Sequence, residues 1–175
     1  GAGFALLAGL LLLSAGGGEA QCTMGLCSTS LAFGGAPQRA GLTAELVFGF
    51  TLQYPLAQNE YLEVELPGFR RASSGVLTSG ASPGWRLEWD QVTTTLKIRQ
   101  ALPSAIAANT PKQTSASKSA FIFIPLLGVA PNQADLRMRA VQAGAPGGAT
   151  AWRSIGTVQP VGVLLNTTLA FEPPD

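Results

Sequence analysis

Apolar and polar residues alternate most cleanly between residues 43 and 69. Ala44, Leu46, Phe48, Phe50 and Leu52 occupy every second position, so as a strand they share one face. Leu62, Val64 and Leu66 repeat the pattern, with Glu63 and Glu65 turned to water. The connecting Pro55-Leu56-Ala57-Gln58-Asn59 has hairpin length and no helical period, which predicts that the two strands pair antiparallel. Leu66-Pro67-Gly68-Phe69 then closes the pair.

The same period returns downstream. Trp85, Leu87 and Trp89 alternate with Arg86, Glu88 and Asp90, and Leu96 and Ile98 alternate with Lys97 and Arg99, predicting a second hairpin turned at Asp90-Gln91-Val92. Residues 70–84 and 101–119, rich in Ser, Gly, Ala, Thr and Pro, read as loops. Phe121-Ile122-Phe123-Ile124 is apolar on both sides and predicts a strand buried on one face and covered by a loop or partner on the other, ended by Pro125. Leu136, Met138 and Ala140 alternate with Arg137 and Arg139; a glycine-rich turn over 144–148 leads to Trp152, Ile155, Val158, Val161, Val163 and Leu165. Short strands at this spacing, with no sustained helical period, predict an all-β antiparallel two-sheet sandwich of immunoglobulin-like architecture. A Cys…Trp…Cys pattern across the domain, which would mark the antibody family proper, is not present.

One internal match sets the domain picture. Ser28-Thr29-Ser30-Leu31-Ala32-Phe33 resembles Asn166-Thr167-Thr168-Leu169-Ala170-Phe171, and positions 33 and 171 lie 138 apart. That period suits a domain rather than a solenoid repeat. The chain therefore divides into a leader over 1–20, a short Cys-containing linker over 21–27, a β-sandwich repeat over 28–165, and the start of a following repeat over 166–175.

Composition adds a compartment. An apolar run over 4–13, then Gly16-Gly17-Gly18 and Glu19-Ala20, resembles a secretory signal peptide lacking its basic start, with Gln21 as the first mature residue. The rival is a retained membrane anchor, although the run is about half the ~20 residues a span requires. Cys22 and Cys27, spaced C-x4-C, read as a local disulfide in an oxidising compartment. With no histidine in the chain, two cysteines cannot complete a four-ligand zinc site, so no metal or other cofactor is expected. Asn166-Thr167-Thr168 is a glycosylation sequon. Charged residues make up 12% of the chain, with a net charge of +1 and only Arg70-Arg71 adjacent, so no nucleic-acid footprint is present.

Candidate chemistry is sparse. Glu63 and Glu65 project from one strand face, as a glycosidase pair would, but their alternation with Leu62, Val64 and Leu66 makes them the solvent side of an amphipathic strand. Glu60, Glu88, Asp90 and Asp135 are the oxygen ligands available to calcium, without a D-x-D-x-D spacing to gather them. Ser residues in the loops have no base partner for a hydrolase triad. Trp85 and Trp89 share a face with Leu87 and read as core, whereas Trp152, beside the glycine-rich turn and Arg153, is the aromatic placed to meet a ligand.

The order of these pieces, with the run from Leu62 through Phe69, the Gly/Ser loop, Trp85 to Asp90, Leu96-Lys97-Ile98 and Phe121-Ile122-Phe123-Ile124-Pro125, resembles the tandem β-sandwich repeats of large secreted cell-surface proteins of microalgae and other protists, including mastigoneme-type proteins. The resemblance implies a structural or adhesive role and brings no catalytic residues. The expectation is a secreted or cell-surface module without enzymatic activity, its partners being neighbouring repeats and other surface proteins or glycans. Two rivals stand beside it: a carbohydrate-binding module using Trp152 and Arg153, and a membrane-anchored enzyme or receptor whose working domain lies beyond Asp175.

Overall fold

A computed structural model describes residues 25–34, 38–77, 80–131 and 133–162. Ten strands follow in order: β1 (Leu26–Gly34), β2 (Glu45–Leu52), β3 (Tyr61–Glu65), β4 (Gly75–Leu77), β5 (Trp85–Asp90), β6 (Thr95–Gln100), β7 (Lys112–Ala116), β8 (Arg137–Val141), β9 (Arg153–Ser154) and β10 (Thr157–Val158). They form a four-stranded sheet, β10-β1-β2-β7, and a six-stranded sheet, β4-β5-β6-β3-β8-β9. The two pack face to face as an all-β sandwich around one apolar core. Among the described residues no helix is long and apolar enough to cross a membrane.

Period-2 alternation does what it predicts for faces. Leu46, Phe48, Phe50 and Leu52 of β2 meet Leu62 and Val64 of β3, Leu87 and Trp89 of β5, Leu96 and Ile98 of β6, and Met138 and Ala140 of β8 in that core. Each such side chain, taken fully out of water, contributes about 1.5–3 kcal/mol before conformational entropy is set against it. The β5–β6 hairpin forms as its alternation predicts, in register from Trp85↔Gln100 to Asp90↔Thr95.

Pairing differs from the expectation in one central respect. β2 and β3 do not pair: β2 lies between β1 and β7, and β3 lies between β6 and β8 in the opposite sheet. Both strands carry a strong apolar face, and facing each other across the core buries both faces, whereas pairing in one sheet would only align them. The link over 53–60 spans the sandwich and is pinned by Leu56, fully buried and bridged to Ile106.

Three further segments differ. β4 arises within 70–84 and β7 within 101–119, both read as loops; they are edge strands that bury only Leu77, and Thr114 and Ala116, so their sequences carry little apolar signal. Residues 121–124 bury one face as expected, through Ile122 and Ile124, but they form no regular strand and the other face is uncovered: Phe121 and Phe123 are exposed, and only Phe123 bridges neighbours, at Thr43 and Arg70. Pro67 and Gly68 (φ +81) make a turn of type II character, and the Phe69 that follows is buried with its ring stacked on Phe33 at 6.4 Å.

The last strands close the sandwich. β9 pairs with β8 in the six-stranded sheet, and three residues later β10 pairs parallel to β1 in the other. Side chains extend this clasp along β1: Arg153 Nη1 donates to the Leu26 carbonyl at 2.6 Å, Gly156 N to Thr29 Oγ1 at 2.9 Å, and Phe33 N to Gln159 Oε1 at 2.8 Å. Gln159 N adds a bond to the Leu31 carbonyl at 2.9 Å. Because β1 and β10 run parallel, the first described strand starts at one pole of the sandwich and the last described strand runs toward the opposite pole.

Candidate functional site

The residues with chemistry gather on the outer face of the six-stranded sheet. Alternation puts Glu63 and Glu65 of β3, Lys97 and Arg99 of β6, and Arg137 and Arg139 of β8 on that face, and register aligns them into rows. One row runs Glu88, Lys97, Glu63, Arg139 across four strands, with alternating sign at each step. Opposite charges directly across adjacent strands favour this register over a slipped one.

Glu63 is the centre of the row. It is not turned freely to water, as its alternation predicts, but is only 8% exposed. Arg139 donates to Glu63 Oε2 through Nε at 2.6 Å, and Lys97 Nζ stands 3.7 Å from Oε1. Glu65 is held by Arg137 in the same way, Nε to Oε2 at 2.7 Å. Each carboxylate of the pair thus has its own guanidinium, an arrangement that fixes side chains on a sheet.

Aromatic rings flank the rows. Trp152, half-buried, lies beneath both arginines, with the Arg139 guanidinium carbon 4.5 Å and that of Arg137 5.6 Å from its ring centroid. Tyr61 carries Arg99 at 4.6 Å and Lys97 at 5.6 Å on the other flank. Trp152 is therefore grouped with Arg137 and Arg139 and not with Arg153, whose guanidinium is held by the Leu26 carbonyl. The arginines around Trp152 were legible only as strand alternation; opposite-sign pairs two apart, Glu63/Glu65 against Arg137/Arg139, are the signal that links them.

The other candidates fall elsewhere. Trp89 is buried and donates Nε1–H to Gln91 Oε1 at 2.8 Å, and Trp85 meets Phe50 edge to face at 6.0 Å. Arg71 bonds the carbonyls of Ala120 and Ser73, so the Arg70-Arg71 pair ties loops together. Glu60 accepts from the backbone of Ala57 and Ala143, away from Asp90, which caps the β5–β6 turn through Val92 N at 2.9 Å. Those backbone donors hold the Asp90 carboxyl below the usual carboxylate range. Among the described residues no three of Cys, Asp and Glu come together to hold a metal ion. Cys27 is disulfide-bonded; Cys22 and Asn166 lie outside the described residues.

Two open grooves lie near these residues and on the opposite sheet. One of about 550 Å³ runs over the four-stranded sheet, lined by Ser28, Ser30, Gly49, Lys112, Gln113 and Thr157. The other, of about 560 Å³, lies by Glu65, Pro67, Thr93, Asp135 and Arg137. Both are open, the first carrying Lys112 and Gln113 and the second Asp135 beside the Glu65–Arg137 pair. Compared with protein-family models, curated proteins and solved structures, the chain matches none of them.

Proposed function

We propose that the chain is a secreted structural or adhesive β-sandwich module of a cell-surface or extracellular repeat protein, without catalytic activity, whose partners are neighbouring modules. The observation that carries this reading is the parallel pairing of β1 with β10, which places the two ends of the module at opposite poles. A module strung between neighbours in a linear array needs that geometry. The disulfide at Cys27 supports an oxidising compartment. Glu63 and Glu65, each held by an arginine, support a face that stabilises the sheet in preference to one that transfers protons.

The second reading, a carbohydrate-binding module, rests on Trp152. Its ring is already covered by Arg137 and Arg139, which favours the structural role. A glycan-array screen of the chain beside its Trp152→Ala variant separates the two: the structural reading expects no selective binding by either protein. Selective binding that disappears with Trp152 would replace it.

A further inference from the structure

The two poles of the sandwich differ in a way the core does not require. Of the eight large apolar side chains exposed among the described residues, five sit on the loops toward which β10 runs: Leu42, Phe121, Phe123, Leu126 and Leu127. Backbone pairing brings their segments together at one pole. Ile124 N bonds the Leu42 carbonyl at 2.9 Å, Thr43 bridges Phe123, and a side chain added at Gly41 would meet Leu126 Cδ2 at 2.8 Å. Phe121 and Phe123 flank the buried Ile122 and are both exposed. At the tip, Leu126 is 61% and Leu127 91% exposed, on a turn closed by Gly128 N to the Pro125 carbonyl. The last described residues pass against this turn, with Val129 and Val161 bonded to each other in both directions at 2.9 Å. Exposed apolar side chains gathered on neighbouring loops in this way suit an interaction surface.

The opposite pole, where β1 starts, carries a cleft. It holds about 280 Å³ and is lined by Gly25, Gln53, Tyr54, Ala145, Pro146 and Ala151 among others. That volume lies below the usual range for small-molecule pockets and suits one or two aliphatic side chains. One pole thus presents a leucine-tipped knob and the other a small recess in which Ala145, Pro146, Ala149 and Ala151 stand beside the polar Gln53 and Thr150.

We infer that modules dock head to tail, the Leu126-Leu127 turn of one copy seated in the Tyr54–Pro146 cleft of a second copy. The inference rests on the array reading and names its partner as another copy of this module. Chain geometry argues for that occupant. If a following module begins at Asn166, as its match to Ser28 implies, only residues 163–165 separate it from Gly162. The four Cα–Cα steps from Gly162 to Asn166 reach at most about 14 Å, so the leading pole of the next module would lie close to the apolar side chains of this one. A knob and a recess on opposite poles form a heterologous contact, which propagates along a line instead of closing as a dimer.

Sedimentation equilibrium of the chain tests this up to about 1 mM, the effective concentration a short linker supplies. The weight-average mass is expected to rise with concentration beyond that of a dimer without a plateau. The variant Leu126→Asp/Leu127→Asp and the variant Pro146→Glu/Ala151→Glu, all at exposed positions, are each expected to melt like the wild type and to remain monomeric alone. Mixed together, each still has one intact pole, and the mixture is expected to form a dimer and nothing larger. A wild type that stays monomeric at about 1 mM overturns the docking, because a contact that weak would not order linked modules. A plateau at dimer, or single-pole variants that mixing fails to rescue, would assign a symmetric contact and overturn it equally. None of these outcomes bears on whether further modules follow in the parent chain, so a failed docking and a failed array reading remain distinguishable.

Discussion

Arg139 lies between Glu63 and Trp152, donating to the Glu63 carboxylate at 2.6 Å while its guanidinium carbon sits 4.5 Å from the indole centroid. Glu63 is nearly out of water, so this pair is expected to matter more than its neighbour. A double-mutant cycle to alanine should give a coupling of about 1–2 kcal/mol for Glu63 with Arg139 and less than about 1 kcal/mol for the more exposed Glu65 with Arg137. Couplings in the reverse order would contradict the placement of Glu63 at the centre of the row.

The sandwich predicts a sharp contrast between two leucines. Leu66 is fully buried, and Leu66→Asp should cost several kcal/mol and abolish the cooperative melt, because an unpaired charge enters the core. Leu127→Asp, on the exposed turn, should change the stability of the monomer by no more than about 0.5 kcal/mol. Chemical denaturation of both variants checks this; a melt of Leu66→Asp near the wild-type temperature would refute the inward face of the segment following β3.

Most buried faces were legible in the chain, and so was the β5–β6 hairpin, but the partners of β2 and β3 were not. A period of two states that Leu46, Phe48 and Phe50 share a side, but it is silent on whether their partners lie beside them or across the core. Leu56 and Ile106, which hold the crossing between sheets, are isolated apolar residues in polar loops and carry no periodic signal. Edge strands such as β7 bury too few side chains to alternate visibly. At the candidate site, Trp152 stood out as an aromatic beside a turn, whereas its two arginines became its neighbours only through the β8–β9 register.

The Asp90 carboxylate caps the β5–β6 turn by accepting from Val92 N and Thr93 N. Its folded pKa is lowered, chiefly by the Val92 bond, so ionisation is coupled to the ordered turn. Its contribution is therefore complete above the unfolded value of about 3.9 and is lost as pH falls through the lowered folded value. An NMR titration should place the Asp90 midpoint below about 3.9, with the Val92 and Thr93 amide shifts following it. Asp90→Asn should keep the turn and remove the pH dependence of those shifts. A midpoint at or above the ordinary value would contradict the cap.

Gln142 is buried at the turn after β8, with neither Nε2 nor Oε1 hydrogen-bonded among the described residues. An unsatisfied buried amide costs about 1–3 kcal/mol, so Gln142→Met should leave stability unchanged or raise it by about 1 kcal/mol. Urea unfolding at constant m-value reads this directly. A loss greater than about 1 kcal/mol would mean that the amide is engaged in the folded protein.

The array reading is tested most directly by the sequence of the parent transcript beyond Asp175. It predicts a second unit beginning near Asn166 and repeating at the 138-residue spacing of the Leu-Ala-Phe match, with alternating strands and a counterpart of the Leu66-Pro67-Gly68-Phe69 turn. A stop codon or an unrelated domain directly after residue 175 would contradict it.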